Sequence, residues 1–230
     1  MVTKVAAIPD AGPGHRPDTG ASQRLGRASP DERREHILSV ASEIFAREGY
    51  GVSSMSSIAA RLGGSKATLY KYFASKEELF HAVMQRKCEA VIGPLEQLAG
   101  SSPDPATLLR EFGKIFLTRL CQPDAIVIHR TVHAEAERFP EVARTFFSYG
   151  PEAAYAVLTP ALARFHAEGV IDCPDPRLAA EQFLAMVRGD LHLRVSSGLI
   201  PPPDEAEIER QVSHAVGIFV RGIARQGPPA

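Results

Sequence analysis

The residues from Gly63 to Phe73, Gly-Gly-Ser-Lys-Ala-Thr-Leu-Tyr-Lys-Tyr-Phe, hold the chain's densest set of groups suited to a polyanion. Lys66 and Lys71 are point charges for phosphate oxygens. Thr68, Tyr70 and Tyr72 add hydroxyls that meet either phosphates or base edges. Ser65 has the position of a helix N-cap after a glycine turn, so these side chains belong to one short helix of about two turns. A preceding helix opens after Ser54, where backbone N–H groups can aim at a phosphate. Two short helices joined by a glycine turn, with polar residues gathered on the second, match a helix-turn-helix. The lysines taken alone would read as a solvated face; the interleaved Thr and Tyr inside a capped unit favour DNA.

A second group of residues suits a small ligand or a metal. His129 and His133 lie four apart on a predicted helix, with Glu135 and Glu137 nearby. No Cys or third His at motif spacing completes a metal site, so a polar patch facing a cavity is the better reading, and no metal or cofactor is expected. Phe112, Phe116, Phe146, Phe147, Tyr149, Tyr155 and Phe165 are candidate cavity aromatics; helical spacing alone makes most of them core, with two or three facing a ligand. Phe116, His129 and His133 are the ligand-binding candidates. Cys88, Cys121 and Cys173 are odd in number and widely spaced, against a disulfide framework and for a reducing cytoplasm. Each reads as core filler rather than redox sensor. No nucleophile elbow, phosphate loop or paired-carboxylate motif is present, which argues against an enzyme.

The elements that must position these groups are all helical. Ser29-Pro30-Asp31-Glu32 starts a helix that Gly49 ends, with Ile37, Val40, Ala41, Ile44 and Phe45 at helical spacing. Leu69 and Phe73 would seat the short helix against Ile44, Phe45 and Ile58. Ser75-Lys76-Glu77-Glu78 reads as a capping box for a fourth helix, with Gly93-Pro94 as its kink or end. Pro and Gly then punctuate the chain into further helices, among them a stop at Gly150-Pro151, and Asp204-x-x-Glu207 caps the last one. About nine helices are expected and no strands, an all-α fold. Residues 1–28, rich in Gly, Pro and Ala without periodicity, read as a disordered arm. Residues 29–92 form the DNA-binding domain and 93–230 a ligand-binding and dimerisation domain.

Composition agrees. The 44% hydrophobic content over 230 residues is that of a globular protein. Apolar runs stop short of the roughly 20 residues a bilayer span needs, and without an apolar segment after Met1 no secretory signal is expected. The net charge of −1 divides unevenly: eleven Lys and Arg face eight Asp and Glu over 23–92, while thirteen face seventeen over 93–230. A basic segment on an acidic body turns one end towards a polyanion.

Gly49-Tyr50, Met55-x-x-Ile58-Ala59, Gly63-x-Ser65-Lys66-x-Thr68-Leu69-Tyr70-x-Tyr72-Phe73 and Ser75-Lys76-Glu77-Glu78-Leu79 together resemble the DNA-binding domain of the TetR family of bacterial repressors. The resemblance implies a homodimer with an all-α ligand-binding body, released from DNA when an inducer shifts the fourth helix. It implies groove or phosphate contacts for Lys66, Thr68 and Tyr70, and a backbone contact for Tyr72. Lys76 would meet a phosphate, Ser54 would cap its helix and touch another, and Lys71 would sit at a variable, base-reading position. Gly64 departs from the small apolar residue, often Val, usual at its position, which would loosen the turn if the site is buried. More weakly, His129-Arg130-Thr131-Val132-His133 through Pro140-Glu141, and Ala179 to Leu184, resemble the C-terminal region of AefR-like repressors. The expected function is a ligand-responsive repressor on a near-palindromic operator; the alternative is a metal- or redox-sensing regulator using His129 and His133 or a cysteine. The apolar faces of the last two helices are expected to build the dimer.

Overall fold

A computed structural model describes residues 29–224, so the expected arm at 1–28 lies outside the described residues. Ten α-helical segments follow in order: α1 Pro30–Glu48, α2 Met55–Arg61, α3 Lys66–Tyr70, α4 Lys76–Ser101, α5 Pro105–Leu120, α6 Pro123–Glu135, α7 Pro140–Phe147, α8 Ala153–Ala167, α9 Pro176–Ser196 and α10 Glu205–Gly222. Among the described residues the only extended pairing is one antiparallel bridge between Ile171 and Ala224.

The expected starts and stops are present as hydrogen bonds. Ser29 Oγ accepts from Glu32 N, and Glu32 returns the bond to Ser29 N. Gly49 ends α1 at φ 84°. Asp204 and Glu207 form the reciprocal box of α10. At α4 only half of the expected box forms: Ser75 Oγ accepts from Glu78 N, whereas the Glu78 carboxylate accepts from Ala74 N.

Four expectations are corrected. First, α3 is five residues long, shorter than two turns. Second, of the kink or end expected at Gly93-Pro94, the end is ruled out, because α4 continues to Ser101. Pro94 removes one hydrogen bond, and a helix packed along both halves of the protein tolerates that loss. Third, Gly150-Pro151 does not stop the chain. Ser148–Glu152 widens into a π turn that joins α7 to α8 as one rod, absorbing the donor that Pro151 lacks. Fourth, the apolar faces of the last two helices close the monomer. Phe183, Leu184, Val187, Ile208, Val212, Ala215, Val216 and Phe219 are all buried within it.

Two apolar clusters organise the helices. One joins α1 to α4, with Ile44, Phe45, Ile58, Leu69, Phe73 and Phe80 buried together as the spacing required. It also takes in Val132 of α6 and Val142 of α7, so its core is not made by residues 29–92 alone. The other holds α5, α8, α9 and α10 around Phe112, Leu158, Phe165 and Phe183, with Leu95 of α4. Each large buried side chain contributes about 1.5–3 kcal/mol. Because α4 carries residues of both clusters, it ties the two ends together.

Candidate nucleic-acid interface and its coupled cavity

α2 and α3 meet at Gly63, whose φ of 65° suits glycine in a tight turn. Ser54 and Ser57 cap α2 reciprocally, at 3.0 and 3.1 Å. Ser65 Oγ accepts from Thr68 N at 3.1 Å, and its hydroxyl lies 2.9 Å from Thr68 Oγ1. Leu69 and Phe73 turn inward, which leaves Lys66, Ala67, Tyr70 and Lys71 exposed. Tyr70 is 45% exposed, with the Lys66 ammonium 5.9 Å from its ring centre. Tyr72 is half-buried against the core, so the two tyrosines divide as their spacing required. A side chain at Gly64 would meet no atom within 4 Å, so the departure there opens no hole and costs no packing.

Lys76 differs from expectation. Its ammonium donates to the carbonyls of Tyr50 at 2.8 Å and Ser53 at 3.1 Å, and it lies 4.1 Å from the centre of the Tyr50 ring. At most one N–H remains for a phosphate. The lysine therefore braces the turn between α1 and α2, because the carbonyls beyond the end of α1 need a donor. Tyr50 is buried, donates to Glu77 at 3.0 Å and stacks edge-on to Phe80 at 5.1 Å. Burial first, then the Glu77 carboxylate, push its phenol well above the ordinary range.

The same turn is gripped from the body. Gly51 N–H donates to Glu135 Oε2, at the end of α6, at 2.9 Å. Phe139 packs edge-on to Tyr50 at 5.4 Å. A side chain at Gly51 would lie 2.7 Å from the Phe139 ring, an approach only glycine allows. Two further links run from α4: His81 Nε2 to Thr145 Oγ1 of α7 at 2.9 Å, and Lys87 to Asp124 of α6 at 2.8 Å.

Between α4, α6, α7 and α9 lies a cavity of about 900 Å³. Phe116, His129 and His133, the three ligand candidates, all line it. So do Phe146, Phe147, Tyr149 and Tyr155, giving five aromatics where two or three were expected; Phe112 and Phe165 are buried in the core instead. His192 of α9 joins the two earlier histidines, its ring 4.8 Å from that of His129. Burial first, and then neighbouring positive groups, push His129 and His192 down to about 4. Both are neutral at physiological pH. Burial also raises the Cys88 thiol, on the cavity wall, to about 11, and that of Cys121 to about 11. Among the described residues no group of three or more His, Cys, Asp or Glu is arranged to hold a metal ion.

His192, Phe139 and the contact made by Glu135 were not legible beforehand. Spacing along the chain places Glu135 only beside the histidines. His192 is 59 residues from His133 in sequence, as their numbers give, and no spacing rule spans that distance.

A capped two-helix unit with an exposed basic and hydroxyl-bearing helix, set on a helical body that encloses a cavity, defines a helix-turn-helix regulator. Comparison with known proteins agrees. The family model for bacterial regulatory proteins of the tetR family matches residues 37–83. That for the C-terminal domain of the AefR-like transcriptional repressor matches 107–222, half of the chain. The chain belongs to the TetR family of DNA-binding transcriptional regulators. The HTH-type transcriptional activator FasR of Mycolicibacterium smegmatis is 38% identical over 97 residues, 42% of this chain and 44% of FasR, so the match spans less than half of that relative. The solved structure of the Flavonoid-responsive Regulator FrrA superposes with a TM-score of 0.74 at 32% identity, covering 86% of this chain and 100% of that one. A TetR-family regulator from Mesorhizobium loti superposes with the same TM-score of 0.74 at 24% identity, over 86% and 100%, a likeness of fold alone. No helix among the described residues is long and apolar enough to cross a membrane.

Proposed function

We propose that this protein is a ligand-responsive repressor that grips a near-palindromic operator as a homodimer and releases it when a small apolar molecule fills the cavity. Residues 29–92 are the reading unit and 93–230 the sensing and dimerising body. Lys66, Thr68 and Tyr70 of α3, with Lys71 at its C-cap, enter the major groove, while Ser54, Ser65 and Tyr72 hold the DNA backbone. A five-residue helix reads few bases, so a twofold pair is needed for useful specificity. With the inward faces of α9 and α10 buried in the monomer, their outward sides are the dimer surface, where Leu178, Leu193 and Ile218 are exposed.

One observation carries the reading: α6 lines the cavity with His129 and His133 and, at its end, holds Gly51 through Glu135. A ligand that shifts α6 acts directly on the turn leading into α2. It releases DNA to the extent that it binds the shifted state more tightly. The flavonoid response named for FrrA supports an apolar, ring-bearing inducer. The metal- or redox-sensing alternative has less support, because no three candidate ligands are gathered among the described residues, and Cys88 and Cys121 are held as thiols whereas it is the thiolate that attacks a peroxide oxygen.

Footprinting on the DNA flanking this protein's own gene tests the proposal. The expected result is two protected half-sites related by dyad symmetry, lost on adding inducer. Protection of a single half-site, or none at low ionic strength, would reject it.

A further inference from the structure

Three histidines from two helices meet at one end of the cavity, and one of them has an uncommitted nitrogen. His129 and His133 stack with their ring centres 4.0 Å apart, and His192 stands edge-on to His129. His133 Nδ1 lies 2.8 Å from the His129 carbonyl oxygen. His192 is only 3% exposed, yet its Nε2 has no hydrogen-bond partner among the described residues. A buried polar atom left unpaired is destabilising, and an apolar residue there would avoid the loss. His192 also lines the cavity. The unpaired nitrogen and the cavity wall together mark a place where a ligand atom completes the bond.

The chemistry of that atom follows from the imidazole. Burial keeps the His192 ring neutral, with one N–H and one lone pair. A hydroxyl satisfies Nε2 in either tautomer, donating to the lone pair or accepting from the N–H. A carboxylate offers acceptors alone and brings charge to a site where burial opposes charge. Arg188 also lines the cavity, but it is exposed to water and does not make a dry anion site. The cavity that His192 lines is largely aromatic: His129, beside His192, faces Phe146 at 6.0 Å, and Tyr149 and Tyr155 also line the wall.

We propose that His192 Nε2 anchors the hydroxyl of a phenolic ligand, and that this hydrogen bond makes the cavity prefer hydroxylated rings over bare rings and over fatty acids. The proposal rests on the reading of the cavity as the inducer site.

Calorimetry on the full chain tests it with three probes: 7-hydroxyflavone, flavone and dodecanoate. The natural sequence is expected to bind 7-hydroxyflavone about tenfold more tightly than flavone, the effect of one hydrogen bond. His192→Phe should bind the two flavones equally. His192→Gln, which keeps a polar atom near the place of Nε2, should retain part of the preference. Should His192→Phe not fold, the imidazole nitrogen resonance of His192 in the natural sequence gives the answer: it moves with 7-hydroxyflavone and not with flavone. Equal affinities for both flavones, a preference that survives His192→Phe, an unmoved His192 resonance or tighter binding of dodecanoate would each overturn the anchor. Gel retardation with the same preparation separates the two readings. Operator binding without phenol selectivity defeats only the anchor; selectivity without operator binding defeats only the repressor.

Discussion

Gly51 and Glu135, 84 residues apart in the chain, are joined by a 2.9 Å hydrogen bond from the glycine N–H to the carboxylate. The bond links the turn before the DNA-reading pair to the last residue of a cavity-lining helix. Removing it separates sensing from reading. Glu135→Ala is expected to leave operator affinity without ligand within about threefold, while weakening the ligand's effect on that affinity by about 0.5–2 kcal/mol. Titration of operator with and without a bound cavity ligand measures this. An unchanged ligand effect would remove the contact from the coupling route.

Lys66 and Lys76 should separate cleanly. Lys66 is exposed, with its ammonium near only the Tyr70 ring, so Lys66→Ala should change stability by less than about 0.5 kcal/mol and lower the salt slope of DNA binding by about one. Lys76 braces two carbonyls, so Lys76→Met should cost about 1–3 kcal/mol of stability with the salt slope nearly unaltered. Urea denaturation and a salt titration of operator binding read both effects. A unit drop in slope for Lys76→Met would restore that lysine to the phosphate contacts.

Stability should fall on mild acidification. His129 and His192 have folded-state values near 4, below the ordinary 6.5 of the unfolded chain. Between those values the unfolded chain binds more protons, so acid favours unfolding. The stabilisation is complete above about pH 6.5 and is lost progressively as pH falls towards 4. The protein should be roughly 2–4 kcal/mol less stable at pH 5 than at pH 7.5, with His129→Phe/His192→Phe reducing the difference. Denaturant midpoints at the two pH values test it; equal midpoints would contradict the neutral, buried assignment.

Gly189 interrupts α9 beside the cavity, with φ 47° and ψ −156°, a conformation essentially confined to glycine. Gln211 of α10 spans the break, donating to the Met186 carbonyl at 3.0 Å, and its Nε2 lies 2.5 Å from where a Gly189 side chain would begin. Gly189→Ala should cost about 1–3 kcal/mol through backbone strain, and Gly189→Ala/Gln211→Ala should not recover it. Full recovery in the double variant would show that the amide clash alone was at fault.

Most of the reading unit was legible in advance because its signals are local. Ser29, Ser54, Ser65 and Asp204 cap helices through bonds spanning three residues, and Gly49 and Gly63 adopt positive φ within single turns. Those interactions depend on neighbours in sequence, so spacing reveals them. The same rules misjudged Pro151 as a stop and left Pro94 open between kink and end; both missing donors are absorbed within helices packed on their neighbours.

Residue order along the chain is enough to specify an all-helical regulator with an exposed Lys-Thr-Tyr helix, since caps, periodicity and turn glycines act over a few residues. Three-dimensional packing is what turns Lys76 inward, buries the apolar faces of the last two helices in the monomer core, and brings His192 to His129. Those outcomes depend on which surfaces approach through space, and burial then selects partners that no fixed interval along the chain encodes.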